Sequence, residues 1–389
     1  MNHRDFEKSP AGRVIKAGLG NAAYWAFVPN PLPANLSPEW ELTRLLSDAD
    51  RAVSELGGLG RTLPNPSLLV SPFLRREAVL SSRIEGTQSD ITDLYFYEAG
   101  QLALPGMEKS ASHEADVHEV FNYVRALEYG LERLENLPAS LRLLREIHAL
   151  LLKGVRGEYA TPGEFRTRQN WIGGATINEA VYVPPPVAEM TSALAAFENY
   201  LHAQNDEYPP LIRLAFIHYQ FEAIHPFVDG NGRIGRLLLS LMLVHWNLLP
   251  LPLLYLSAYF ESHRQEYYAH LLAISQRCAW REWVIFFLNG VTQQAQDTQR
   301  RVKQIQDLQS EWDTELQKNH VTALTLGAAH ALIETPILSA NLLVKKLDIS
   351  HQGAMKILRK LEFLGLVKEI TERKRDRLYF SPAIMEILT

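Results

Sequence analysis

The sequence predicts a mainly α-helical protein with a small β-hairpin set into its core and a separate helix-and-strand unit at its C-terminus. Three observations carry that expectation. Apolar residues recur at helical spacing along most of the first 290 residues. A β-prone, glycine-containing stretch interrupts them at residues 161–186. From Val291 the composition turns to Gln, Asp, Arg and Glu before a final segment, 321–389, with its own helix caps. A length of 389 residues allows two or three domains and a large core. The formal net charge of −5 gives no global attraction to nucleic acid. Cys278 is the single cysteine, which excludes an internal disulfide framework and argues against a thiolate metal cluster. Met1 to Arg13 lack the apolar stretch of a signal peptide, and the run Leu237–Val244 is too short to span a bilayer, so a cytoplasmic location is expected.

In chain order, residues 1–36 read as mostly irregular, broken by Pro31 and Pro33. A helix follows, with Ser37 as its cap, Pro38 in its first position, and Glu39 and Glu41 favouring its dipole. Leu42, Leu45, Leu46, Ala49, Val53 and Leu56 line it, and Gly57 and Gly58 are expected to end it. Phe73 to Tyr97 reads as a helix interrupted near Gly86. Residues 112–135 and 138–155 give two more, the second carrying His148 on an apolar face as a core histidine. Thr161–Arg166, Gln169–Ala175 and Tyr182–Pro186 form the hairpin stretch. Beyond Val291, Val302, Ile305, Leu308, Trp312 and Leu316 stripe a long polar helix that links domains and either pairs with another chain or packs on the core.

Residues 225–236, His225-Pro226-Phe227-Val228-Asp229-Gly230-Asn231-Gly232-Arg233-Ile234-Gly235-Arg236, join two apolar helices. Pro226 biases His225 away from the α region, so the first helix ends there. The second, Leu237 to Val244, is apolar on nearly every face and therefore buried. The loop suits a phosphate. Gly230, Asn231 and Gly232 tolerate unusual backbone angles, so that N–H groups converge on an anion, and the next helix adds its positive end. Arg233 and Arg236, three apart, add charge. Asp229 is a hard oxygen ligand suited to Mg²⁺. His225 has an unperturbed pKa near neutrality and is the natural general base.

This stretch resembles the signature of the Fic family and fills every signature position. The resemblance implies a mainly α, Fic-like helical core and transfer of AMP from ATP, with Mg²⁺, to a Ser, Thr or Tyr hydroxyl of a target protein. It implies that His225 deprotonates the target hydroxyl, Asp229 holds Mg²⁺, Gly230, Asn231 and Gly232 cradle the α- and β-phosphates, and Arg233 and Arg236 bind the outer phosphates, with Gly235 inside the same nucleotide site. Ser81-Ser82-Arg83-Ile84-Glu85-Gly86 is similar to the family's inhibitory motif. By that likeness Glu85, with Ser81 on the same helix face, pairs with Arg236 where a γ-phosphate belongs. The hairpin matches the family's flap, with Ile172, Gly173, Gly174 and Ala175 approaching the nucleotide. Tyr267-Tyr268 fits the pair that borders the adenine pocket, and Ser275 stands where several relatives have asparagine.

Residues 321–389 resemble a winged helix-turn-helix, with Ser350 to Leu364 as recognition helix and a basic wing at Glu372–Asp376. The expected organisation is an N-terminal helical region with the inhibitory helix (1–110), a Fic catalytic core (111–290), a linker helix (291–320) and the winged unit (321–389). Other readings stay open at this point. One is removal of AMP from modified protein, with Glu85 positioning a water. Another is a nucleotide-sensing transcription regulator that binds DNA through residues 321–389. A metallohydrolase built on His218, His225 and Asp229 leaves both arginines without a role. Self-modification and a homodimer are further partners consistent with the sequence.

Overall fold

A computed structural model of the chain describes residues 1–62, 66–99, 111–155, 158–203, 207–371 and 377–389. Two strands, β1 (Gly12–Ala17) and β2 (Tyr24–Pro29), form an antiparallel pair with Gly12 opposite Pro29 and Ala17 opposite Tyr24. This corrects the expectation that residues 1–36 are irregular. Val14, Ile15 and the run Tyr24–Val28 are β-prone, and Pro31 and Pro33 mark only the end of the pair. Phe27 lies fully in the core, and its backbone N–H reaches the Val183 carbonyl at 2.9 Å, tying the pair to the hairpin stretch.

The helices that follow are α1 (Trp40–Thr62), α2 (Pro66–Ile84), α3 (Ile91–Glu98), α4 (Ala111–Arg133) and α5 (Leu141–Leu151). α1 begins after Ser37 and Pro38 and runs straight through Gly57 and Gly58, against expectation. Gly57 and Gly60 do not stop the helix; they let it approach Leu248–Leu253, where a Cβ on Gly60 would lie 3.3 Å from Pro250. α2 ends just before Glu85 and Gly86, and Gly86 has φ +105, so the break expected there is present. An Asp90–Asp93 capping box starts α3.

Next come α6 (Val187–His202), α7 (Pro210–Ile224), α8 (Asn231–His245), α9 (Ser257–Ser262), α10 (Arg264–Arg277) and α11 (Trp280–Lys318). α7 and α8 pack on each other at the centre, and α8 is buried from Arg233 through Leu243. The hairpin stretch is narrower than expected. Its strands reduce to one antiparallel bridge, Ile172 to Tyr182. α11 packs along α1, and its stripe residues Val302, Ile305, Trp312 and Leu316 are buried within the chain.

The C-terminal unit holds α12 (Ala323–Glu334), β3 (Ile337–Ser339), α13 (Ala340–Leu347), α14 (His351–Phe363), β4 (Lys368–Glu369), β5 (Leu378–Phe380) and α15 (Pro382–Leu388). The strands form an antiparallel sheet in the order β3-β5-β4. Ser339 and Ser350 cap α13 and α14 through their hydroxyls, and Gly365, at φ +77, follows α14. The basic wing at Glu372–Asp376 lies outside the described residues. α12 packs directly on α2, so the unit abuts the helix that leads to Glu85. The architecture is mainly α with small sheets and a C-terminal winged helix-turn-helix. Among the described residues no helix is long and apolar enough to cross a membrane.

Candidate active site

The site grows out of the α7–α8 connection. α7 ends at Ile224, and His225 takes a left-handed conformation, φ 50 and ψ 60. A residue with a side chain is strained there, so neighbours must hold it. Arg166 does so from the hairpin stretch: its backbone N–H meets the Pro226 carbonyl at 2.9 Å, and its Nε donates to the His225 carbonyl at 3.0 Å. Asn231 staples the loop, its amide accepting from the Phe227 N–H and donating to the Phe227 carbonyl, each at 2.9 Å. Asn170 adds a second donor to that carbonyl at 2.8 Å.

His148 is the buried histidine expected from its apolar face, and it also supports the loop. Its ring stacks on Phe227 with centroids 3.8 Å apart. Nδ1 accepts the Gly163 N–H at 2.8 Å, so the proton sits on Nε2, which donates to the Asp229 carbonyl at 3.0 Å. Burial holds this imidazole neutral, with its pKa down at about 4.

Within Gly230-Asn231-Gly232 only Gly230 uses a positive φ, +77. Gly232 is needed for a different reason: a Cβ there would lie 2.3 Å from Oε1 of Glu85. The Glu85 carboxylate therefore rests directly on the first turn of α8, where free N–H groups and the helix dipole favour an anion. Arg236 completes its setting. The guanidinium donates to Glu85 Oε1 at 2.7 Å, to Ser81 Oγ at 2.9 Å and to the Ser81 carbonyl at 2.9 Å. Burial opposes the charge on Glu85, but Arg236 outweighs it and holds the carboxyl below its ordinary range. Arg233 turns to other partners, Glu119 at 3.2 Å and Asp229 at 3.9 Å, so the two arginines do not converge on one point.

A cavity of about 580 Å³ opens beside this turn. Of the residues singled out from sequence, Glu85, Ile172, Gly173, His225, Gly232, Arg236, Tyr267 and Tyr268 line it. Ser81 stands behind Arg236. Asp229, Gly230, Asn231, Arg233, Gly235, Gly174 and Ala175 are not part of its wall. The Nδ1–H of His225 donates to the Glu222 carbonyl at 3.2 Å, so Nε2 is the nitrogen left with a lone pair. Burial pulls the imidazole down to about 4, so it is neutral at pH 7 and Nε2 is open to accept a proton. Part of the cavity wall is aromatic and apolar, with the exposed Tyr268 together with Leu271 and Leu272. Ser275 lines the wall and pairs with the Tyr219 hydroxyl at 2.9 Å.

Tyr267 is buried, and its hydroxyl pairs with His218 Nε2 at 2.7 Å. His218 is thus spent inside the core, with Nδ1 toward the Gly235 carbonyl. Among the described residues no group of three His, Cys, Asp or Glu side chains is placed to hold a metal ion. Asp229 is a half-exposed carboxylate that accepts the Gly230 N–H at 2.6 Å. A single carboxylate beside a turn suited to an anion fits Mg²⁺, which takes few protein ligands and fills its other positions with water or phosphate oxygens.

Sequence reasoning missed Arg166, Asn170, Glu119 and Glu222 as parts of this site. Each is set by long-range packing, and only Glu222, one turn ahead of His225 on α7, lay close enough in sequence to be found.

With this geometry in view, the relatives are informative. Residues 43–132 match the Fic/DOC family N-terminal region and residues 138–243 the Fic/DOC family; residues 329–379 match an HTH DNA binding domain. The chain is similar to the protein adenylyltransferase Fic of Drosophila grimshawi, at 29% identity over 171 residues, 43% of this chain and 32% of that protein. It is also similar to the protein adenylyltransferase Fic of Culex quinquefasciatus, at 33% identity over 133 residues, 34% of this chain and 24% of that protein. The matched part thus spans about a third or less of those relatives. In fold it resembles a Fic family protein from Desulfovibrio desulfuricans, with a TM-score of 0.56 and 20% identity over 90% of this chain and 98% of that one. Fic-1 from C. elegans gives 0.52 and 24% over 67% and 75%. Signature loop, core helices and matched regions agree: the chain belongs to the Fic/DOC family.

Proposed function

We propose that this protein is an adenylyltransferase that moves AMP from ATP to a hydroxyl side chain of a target protein, and that Glu85 holds it inactive. One observation carries the reading. The Glu85 carboxylate, bonded to Arg236 and resting on Gly232, is an internal anion seated in an anion site. A nucleotide phosphate and this carboxylate compete for the same N–H groups and the same guanidinium.

The chain's own residues then take defined parts. His225 Nε2 removes the proton of the attacking hydroxyl as the oxygen closes on the α-phosphorus, and pyrophosphate leaves in line. The first turn of α8 and Arg236 stabilise charge on the phosphate oxygens. Arg166 and Asn231 hold the histidine and the turn in register. Ile172 and Gly173 form the cavity edge that a target backbone joins by strand addition. Tyr268, Leu271 and Leu272 cover the base. Asp229 is the residue that would hold Mg²⁺, which neutralises phosphate charge when bound.

The test uses the Glu85→Gly chain with ATP labelled at either the α- or the γ-phosphorus. Retention of the α label on protein, with none of the γ label, is the expected outcome. Retention of the γ label would mean phosphoryl transfer and would contradict the reading. Removal of AMP by the unaltered chain is measured in the same assay on modified protein.

A second reading concerns residues 321–389. On α14 His351, Gln352, Lys356 and Arg359 are exposed on one side, as a recognition helix requires. DNA is the partner this surface fits, through phosphate contacts that weaken with salt.

A further inference from the structure

Glu222 is the exception on its helix. Every other residue of α7 from Leu211 to Ile224 is buried, whereas Glu222 opens on the cavity. Its Oε1 is buried with no hydrogen-bond partner. It packs against Gly235, where a Cβ would lie 2.3 Å from that oxygen. Gly235 thus makes room for the carboxyl, which explains why a signature-helix glycine outside the cavity wall belongs to the site. The second oxygen, Oε2, is left facing the cavity.

The position is specific. Glu222 lies one helical turn, about 5 Å, ahead of His225. On the proposed function His225 works at the α-phosphate, and the group bonded next to that phosphate is the ribose. Tyr219, one turn before Glu222 on α7, and Ser275, bonded to its hydroxyl at 2.9 Å, line the same cavity, as do Leu271 and Leu272 one turn before Ser275 on α10. On the proposed function a carboxyl one turn from His225 on one side and from the Tyr219–Ser275 pair on the other, with one oxygen free, matches a ribose hydroxyl, as acidic residues do in other nucleotide sites.

We propose that Glu222 reads the ribose of the bound nucleotide, its free oxygen pairing with the 2′-hydroxyl, so that ribonucleotides are favoured over 2′-deoxynucleotides. This rests on the nucleotide-site reading above. Arg236 on α8, Glu85 after α2 and Tyr267 on α10 are the titratable and charged groups that act on its carboxyl, and His225 at the end of α7 meets only its backbone carbonyl. Burial raises the Glu222 carboxyl to about 8, the Arg236 guanidinium opposing and the Glu85 carboxylate adding to the rise. The group is therefore a neutral acid at pH 7 and can donate its O–H as well as accept. A charged carboxylate there would repel the phosphates.

Calorimetric binding of ATP and 2′-deoxyATP to the full-length Glu85→Gly chain with Mg²⁺ tests this. One hydrogen bond to the sugar predicts about tenfold weaker binding of 2′-deoxyATP. Glu222→Gln, which keeps a donor and an acceptor in the same volume, should retain that ratio. Glu222→Met should bind both nucleotides alike. Gly235→Ala, which displaces the carboxyl without touching it chemically, should behave as Glu222→Met does. Affinity of the parent chain should fall as the Glu222 carboxyl ionises with rising pH, while Glu222→Gln stays level. A tenfold preference that survives Glu222→Met, or equal binding of the two nucleotides by the parent, overturns the inference while leaving ATP binding and AMP transfer intact. Absence of any ATP binding by the parent overturns both readings.

Discussion

The cavity beside α8 and the C-terminal winged unit are built on opposite principles. The unit buries an apolar core, with Leu332, Ile337, Leu343, Leu358, Leu361 and Leu378 almost wholly excluded from water; α12, α13 and α14 start on threonine or serine caps, and among the described residues its buried unpartnered side-chain atoms are two hydroxyls, Tyr379 Oη and Ser381 Oγ. The signature region buries charge instead. Arg233 and Arg236 are almost fully enclosed, and Glu222 Oε1, Arg233 Nε and Arg236 Nη1 are buried without partners. Such atoms cost stability wherever nothing completes them. The difference teaches where a ligand belongs. Buried charged groups without partners, gathered beside a cavity, are arranged for something the chain alone does not supply.

The largest expected effect lies at the charged end. Replacing His225 by alanine in the Glu85→Gly chain should lower AMP transfer by about 10²- to 10⁴-fold, the usual contribution of a general base, in a labelling assay. Wild-type-like transfer would break the assignment of the charged region as catalytic. At the apolar end, Leu358→Ala should destabilise the protein by about 2–5 kcal/mol, seen as a lower unfolding midpoint in denaturant. Nucleotide affinity should stay within about twofold if the two regions are independent. A loss of nucleotide binding would instead show that the packing of α12 on α2 transmits the damage to Glu85.

A smaller effect is expected in the pH profile. A general base works deprotonated, so activity is present above its pKa and is lost as pH falls through it. With His225 held near about 4, kcat/KM for the Glu85→Gly chain should stay level from roughly pH 7 to 5 and decline only below that. A fall centred on the ordinary histidine value of 6.5 would mean that the ring is solvated. The smallest effect concerns the winged unit. If it binds DNA, Lys356→Ala should reduce the dependence of log affinity on log salt by about one unit. Salt-independent binding would point to a protein partner for α14.

What the sequence made legible was local. The signature loop, the Ser81–Glu85 motif and the caps at Ser339 and Ser350 are contiguous patterns whose chemistry depends on near neighbours. The rest depends on residues far apart in the chain. Arg166 reaches the His225 carbonyl across the hairpin stretch, and Glu119 meets Arg233 from α4. Neither position carries a local mark. Gly57 and Gly58 read as a stop because glycine usually ends helices, yet the packing of α1 against Leu248–Leu253 overrode that tendency. Glu222 carries no mark in the sequence beyond its place at helical spacing ahead of His225, and its unpartnered buried oxygen shows only in the fold. The β1–β2 pair was hidden by two prolines that follow it rather than break it.

The central claim is that Glu85 occupies the place of a nucleotide phosphate. Its most direct test is self-modification with α-labelled ATP and Mg²⁺, with the unaltered chain and the Glu85→Gly chain side by side. Loss of a charge-assisted hydrogen bond competing with phosphate predicts an increase of about 10- to 100-fold in label on the Glu85→Gly chain. Equal labelling of the two chains would contradict it.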